Sequence, residues 1–170
     1  GVVEFIIVDN GSNEENRQTI QAFLESVEVE CHYIYHPMSF NFSAMCNLGA
    51  AQAGGEYILL LNDDMEIIEE NWLRILLGQA LLPGTGAVGA KLWYPDGEKI
   101  QHAGITNMHI GPSHKLVTFP DDRTYYYGHN TVTYDMIAVT AACLLVKKLI
   151  YQEVGGLDED MAVSYNDVDF

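Results

Sequence analysis

Two acidic turns in this 170-residue chain stand directly behind apolar runs. Val2-Val3-Glu4-Phe5-Ile6-Ile7-Val8 leads into Asp9-Asn10-Gly11-Ser12-Asn13, and Tyr57-Ile58-Leu59-Leu60-Leu61 leads into Asn62-Asp63-Asp64. Carboxylates crowded on one turn repel each other, and a divalent cation relieves the repulsion. Hard oxygen donors suit Mg2+ or Mn2+, ions commonly held by one or two carboxylates together with the phosphates of a nucleotide. A solvated acidic turn before a helix is the competing reading, and position alone leaves the two even. A third acid, Asp167 in Asn166-Asp167-Val168-Asp169-Phe170, is of the type that takes a proton from a hydroxyl. By itself it reads better as an acid capping the first amides of a helix.

The overall charge narrows the ligands. Eight Lys+Arg against 24 Asp+Glu give a net charge of −16, which repels nucleic acid and anionic lipid in bulk. A phosphate ligand therefore needs a local positive charge, which a metal supplies. Hydrophobic residues make up 48% of the chain, enough to exclude disorder and to build a core. Cys31, Cys46 and Cys143 are odd in number and far apart, so neither a disulfide framework nor a zinc site is expected, and a reducing compartment fits. The longest nearly apolar stretch, Met136 to Val146, is about half of what spans a bilayer, so no transmembrane segment is expected. Proximity to a membrane through a segment outside these residues stays open.

Positioning the acids requires strands and helices in alternation. The first apolar run is a strand, and about Asn16 to Ser26 is a helix with Ile20, Phe23 and Leu24 on one face. Val29 to Tyr35 is a second strand, ending before Pro37, and Ser43 to Ala53 a helix stopped by Gly54-Gly55. Tyr57 to Leu61 is a third strand, and Glu69-Glu70-Asn71 opens a helix carrying Trp72, Leu73, Leu76 and Leu77. Such alternation implies an α/β fold with a mostly parallel sheet flanked by helices and ligands beyond the carboxyl ends of the strands. The second half differs: Ala87 to Tyr94, Pro95-Asp96-Gly97 and Lys99 to Ile105 read as a small antiparallel hairpin. Residues 106–130 lack periodicity and read as a long surface excursion; Val132 to Val146 returns to strand-like sequence, and Lys148 to Val154 is a short helix before Gly155-Gly156. A strand at the very start and a helix opening at the end read as the cut edges of a fragment.

These motifs carry a resemblance. Val8-Asp9-Asn10-Gly11-Ser12, Asn41-Phe42-Ser43 with Asn47 and Gly49, Gly54-Gly55-Glu56-Tyr57, Leu60-Leu61-Asn62-Asp63-Asp64-Met65-Glu66, Gly155-Gly156-Leu157-Asp158-Glu159 and Asn166-Asp167-Val168-Asp169-Phe170 resemble, in order and spacing, the family 2 glycosyltransferases. The resemblance covers nearly the whole chain. It implies a GT-A, Rossmann-like fold in one domain fragment, 1–170, with a nucleotide-sugar-binding half at about 1–85 and an acceptor-side half at about 86–170. It implies a nucleotide-diphosphate-sugar donor, a glycan or lipid-linked acceptor, inversion at the anomeric carbon, a divalent metal (Mg or Mn), polysaccharide biosynthesis and a cytoplasmic location, extending to the inner face of the membrane. On that analogy Asp9 accepts a hydrogen bond from the nucleotide base, with Asn10, Ser12 and Asn47 also donor-binding. Asp64 contacts the metal, Asp63 lies near the ribose or the metal, and Asp167 is the general base. Asn62 and Asn166 stand where the family more usually has acids, which removes one negative charge at each place. The alternatives are a catalytically incompetent nucleotide-sugar-binding fragment and a nucleotidyltransferase; the second normally wants a basic residue and a glycine-rich loop that this chain does not display.

Other chemically able residues read as structural. His102, alone on a strand, is expected in the core rather than in catalysis. His109, His114 and His129 lack the i, i+4 pairing of zinc motifs. Tyr125-Tyr126-Tyr127 either stacks on a sugar or packs beneath its loop, and Cys143 reads as an inert core thiol.

Overall fold

The computed structural model describes residues 3–170; Gly1 and Val2, where the first predicted strand begins, lie outside them. The elements run β1 (Glu4–Asp9), α1 (Glu14–Ser26), β2 (Glu30–Tyr35), α2 (Phe42–Gln52), β3 (Tyr57–Leu61), α3 (Trp72–Ala80), β4 (Ala87–Gly89), β5 (Leu92–Trp93), β6 (Ile100–His102), β7 (Ile105–Met108), β8 (Gly111–His114), β9 (Cys143–Lys147), α4 (Lys148–Glu153) and α5 (Asn166–Asp169). They form two compact units, one of residues 3–58 and 148–170, the other Leu59–Lys147.

In the first unit β1 and β2 pair in parallel, from Glu4 opposite Glu30 to Asp9 opposite Tyr35. The helix between them starts where Asn13 accepts the Asn16 amide at 2.9 Å, with Glu14 and Glu15 in the first turn favouring the positive end of its dipole. Asn41 caps α2 in the same way, accepting the Ala44 amide at 3.0 Å. α2 packs on β1 at Gly49, where a Cβ would meet Val8 Cγ2 at 3.3 Å; the missing side chain sets the close approach. Glu4 accepts the Gly54 and Gly55 amides at 2.7 and 2.9 Å and so fixes the turn that ends α2. α4 closes on Gly155 and Gly156, both at positive φ, with the Gly156 amide donating to Tyr151 at 2.9 Å.

A three-stranded sheet runs in the order β3-β9-β4, its β3 residues from Leu59 onward counted in the second unit, with β4 antiparallel to β9 and α3 packed on both. Leu76 and Ala80 from α3 and Leu144, Leu145 and Val146 from β9 are buried. Two antiparallel hairpins follow, β5-β6 and β7-β8. The segment expected to be a surface excursion supplies β8 and most of β7, and it is tied down by Asp121. That carboxylate accepts Lys91 Nζ at 2.7 Å, Trp93 Nε1 at 2.8 Å and Asn130 Nδ2 at 2.8 Å.

The α/β class stands, with one correction to the sheet. Among the pairings described strand by strand, β1-β2 is parallel, whereas β4-β9, β5-β6 and β7-β8 are antiparallel, so a long, mostly parallel sheet is not what the pairing shows. For the two hairpins the physical reason is connection length: Tyr94 and Lys99 close a tight turn, and Asn107 to Pro112 another, and links that short join only antiparallel neighbours. The strand-like run 132–146 is a strand only from Cys143. No helix among the described residues is long and apolar enough to cross a membrane. All three cysteines are free.

Candidate active site

Asp9 ends β1 with its side chain 7% exposed. One carboxylate oxygen accepts the Gly11 and Ser12 amides at 2.9 and 2.7 Å, and the other accepts the Tyr33 hydroxyl. Burial pushes the carboxyl upward, but the bonds from Tyr33, Ser12 and Gly11 outweigh it and hold Asp9 at about 2. Burial and the same contact push the Tyr33 phenol up. Asp9 is therefore a fixed anion at a strand end. The turn after it folds over β2, with His36 and Met38 donating to the carbonyls of Asp9 and Asn10 at 2.8 and 3.1 Å. Arg17 lies over the Tyr35 ring at 3.9 Å, and its Nε is buried with no partner among the described residues. Tyr33 and Arg17 escape a reading of motifs; the alternation of β2 was the available signal for Tyr33, since it shares a face with the Tyr35 opposite Asp9.

Helix α2 holds the other end of this unit. Asn41 Nδ2 donates to the Glu159 carbonyl at 2.8 Å, Ser43 Oγ to the Met161 carbonyl at 2.9 Å, and the Phe42 amide to the Ala162 carbonyl at 2.8 Å. Asn47 uses its whole amide: Nδ2 donates to the Leu157 carbonyl and to Glu159 Oε1 at 2.8 and 3.0 Å, and Oδ1 accepts Tyr151 Oη and the Leu157 amide at 2.7 and 2.9 Å. These bonds span about 110 residues of sequence and fasten the loop leading to Asp167. Asp167 sits half-buried in α5, its amide accepted by Asn166 Oδ1 at 2.9 Å, and the buried Asn166 donates in turn to the Met161 carbonyl at 3.2 Å. Asn166 thus spends its side chain on the backbone, as an acid could not, because a carboxylate has no hydrogen to donate. The first unit therefore holds Asp9, Asn10, Ser12, Asn47 and Asp167 together.

Asp63 and Asp64 belong to the second unit, on the turn after β3. The Asn62 amide donates to the Ala142 carbonyl at 3.0 Å, which ties the root of that turn to the chain entering β9. Both carboxylates are exposed, with no hydrogen bond or ion pair among the described residues. Two adjacent hard-oxygen donors with open lone pairs fit Mg2+ or Mn2+ whose other ligands come from phosphate and water. The described residues place three ligand-type groups within reach of one ion elsewhere, at Glu4, Glu30 and His32. That cluster lies at the amino end of the β1-β2 pair, roughly 16 Å along the strand from Asp9 at 3.3 Å per residue. One Glu4 oxygen there is already occupied by the Gly54 and Gly55 amides.

Comparison with known proteins agrees with the motifs. The family described as glycosyl transferase family 2 matches residues 1–153. An uncharacterized protein of Sinorhizobium fredii, y4gI, is 38% identical over 99% of this chain and 19% of its own length. The O-antigen biosynthesis protein RfbC of Myxococcus xanthus is 38% identical over 79% of the chain and 10% of its own length. The low-salt glycan biosynthesis hexosyltransferase Agl10 of Haloferax volcanii is 22% identical over the whole chain and 52% of its own length. The chain thus spans about half or less of the relatives it matches. With its ordered acids at strand ends and a family match over nine-tenths of its residues, the chain belongs to glycosyl transferase family 2.

Proposed function

We propose that this chain carries the core of an inverting sugar transferase that moves a sugar from a nucleotide-diphosphate sugar to a hydroxyl of a glycan or lipid-linked acceptor. In this reading the fold is of the GT-A kind, with donor binding in about 1–85 and the acceptor side in about 86–170. Asp9 accepts a hydrogen bond from the nucleotide base, using the lone pair that Tyr33, Gly11 and Ser12 leave open, while Asn10 and Ser12 meet the donor on the same turn. Asn47 reaches the donor side through the Leu157–Glu159 turn it holds. Asp64, with Asp63 beside it, would hold Mg2+ or Mn2+; when bound, the ion neutralises charge building on the departing diphosphate. Asp167 takes the proton from the acceptor hydroxyl as its oxygen attacks the anomeric carbon from the face opposite the leaving group, and that direction of attack inverts the carbon. The names of RfbC and Agl10 support polysaccharide biosynthesis as the setting, with the work done in the cytoplasm or at the inner face of its membrane.

One observation carries the reading: helix α2, packed on the strand that ends in Asp9, also fastens the loop leading to Asp167. A nucleotide-binding acid and a base thereby share one rigid support. Calorimetry with a panel of nucleoside diphosphates is expected to show binding that strengthens with Mn2+ and loses that gain in Asp64→Asn. Product analysis with the preferred nucleotide sugar is expected to show an inverted anomeric carbon and no turnover in Asp167→Asn. Metal-independent affinity would remove the role of Asp64, and binding without transfer by a full-length chain would reduce the reading to a nucleotide-sugar-binding module.

A further inference from the structure

The second unit contains a cleft of about 250 Å³, lined among others by Leu92, Tyr94, Gln101, His114, Val117 and Thr140. At its base His102, on β6, is 1% exposed. The His102 and His114 Nδ1 atoms lie 2.8 Å apart, with the rings edge to face at 4.9 Å between centres. The Thr140 amide points at His102 Nε2 at 3.4 Å. A backbone amide can only donate, so His102 Nε2 accepts and the ring proton of a neutral His102 sits on Nδ1. It is then donated to His114 Nδ1, and the proton of a neutral His114 sits on Nε2. Burial, with His114 adding to it, pushes His102 down to about 4, so His102 stays neutral at physiological pH. The hairpins make this meeting possible: β6 ends at His102, β8 ends at His114, and the Ile105 amide bonded to the Ala138 carbonyl at 2.9 Å draws in the segment that carries Thr140.

This arrangement excludes two ligand classes. A metal needs nitrogen lone pairs, and the lone pairs of His102 Nε2 and His114 Nδ1 are both engaged. An anion needs positive charge, and the cleft is lined by no lysine or arginine among the described residues. What remains is a neutral ligand with hydroxyl groups and an apolar face. Gln101, Thr140, the Tyr94 hydroxyl and His114 Nε2–H offer donors and acceptors, while Leu92, Val117 and the Tyr94 ring offer apolar surface. The volume lies below the ~300 Å³ at which pockets for drug-sized ligands begin, which suits a single sugar ring.

We propose that this cleft is a saccharide subsite holding one sugar unit of the acceptor, with His114 as a ligand contact and His102 as a positioning residue that fixes the proton on His114 Nε2. The assignment of that sugar to the acceptor rests on the transferase reading; the binding of a sugar does not.

The test is nitrogen-edited NMR of the full 170-residue chain titrated with methyl glycosides of hexoses, 6-deoxyhexoses and N-acetylhexosamines, without nucleotide. At least one glycoside is expected to shift the His114 ring nitrogens and the Gln101 and Thr140 amides. His114→Ala, an exposed site, is expected to weaken that glycoside about tenfold, the size of a lost hydrogen bond of ~1.4 kcal/mol. The ligand-free protein is expected to show His114 protonated at Nε2, a readout that survives even if His102→Asn does not fold. His114 protonated at Nδ1 would remove the positioning role, and no shift with any glycoside, or shifts confined to Lys115 and His129, would overturn the subsite. Binding of a nucleoside diphosphate, measured on the same samples with and without Mn2+, separates the two readings. Its presence without sugar shifts sinks the cleft alone, and its absence beside sugar shifts sinks the transferase reading alone.

Discussion

At the end of β1 the Asp9 carboxylate is 7% exposed and accepts three hydrogen bonds, while at the end of β3 the Asp63 and Asp64 carboxylates are exposed and accept none from the described residues. The residue type is the same and so is the place, beyond the carboxyl end of an apolar strand. The surroundings divide the work. Asp9 is held as an anion before any ligand arrives, so its position is part of the fold. The Asp63-Asp64 pair keeps its lone pairs open, so its charge is available to a cation and contributes little to the fold.

The largest expected effect breaks the comparison at its open end. Asp64→Asn is expected to lower turnover by on the order of a hundredfold or more, the usual scale for losing a group that acts on the reacting charge, while leaving the melting temperature unchanged. Steady-state kinetics beside a thermal melt decides it, and a clear drop in melting temperature would show that the open turn supports the fold after all. Asn47→Ala should do the reverse. It leaves the Leu157 amide and carbonyl and the Tyr151 hydroxyl without their partner, at a cost of about 2–4 kcal/mol in urea unfolding, with loss of the order that holds Asp167. Equal stability of this variant and the parent would mean that the loop is held elsewhere.

Acidification gives the smallest effect and sharpens the anchored end. Unfolded His102 takes a proton near 6.5 while the folded residue resists to about 4, so stability falls as pH drops from 6.5 toward 4, by on the order of 2–3 kcal/mol. Asp9 acts lower down: its folded value of about 2 lies below the unfolded 3.8, so its contribution is complete above about pH 4 and is lost on the way to 2. Urea titrations across this range should show two successive losses, the first abolished in His102→Asn if that variant folds. A flat profile down to pH 4 would mean that His102 is solvated.

Much of this was legible in the residues. β3 falls where its apolar run falls, while α1 and α2 begin at Glu14 and Phe42, ahead of the expected Asn16 and Ser43, because Asn13 and Asn41 cap them. What local pattern could not supply was partnership at a distance. Asn47 stands out in its motif, but that its amide closes on Leu157, Glu159 and Tyr151 depends on how two ends of the chain meet. The run 132–142 looks like strand because it is rich in apolar residues; instead Met136 and Val139 pack where glycine leaves room, while Val132 and Ile137 are exposed. A Cβ on Gly104 would come within 2.5 Å of Met136, and one on Gly89 within 2.6 Å of Val139. The β7-β8 hairpin was hidden because its strands are four residues each, too short for alternation to register.

The first unit is assembled from two stretches far apart in sequence, residues 3–58 and 148–170. On a ribosome this imposes an order of events. When position 58 emerges, Asn41, Ser43 and Asn47 face water, because their partners have not yet been synthesised. The stretch Leu59–Lys147 can gather its own core meanwhile, and only afterwards does the tail return to complete what was begun first. A nascent chain arrested before Lys148 should therefore yield a protease-resistant middle flanked by a cleavable front.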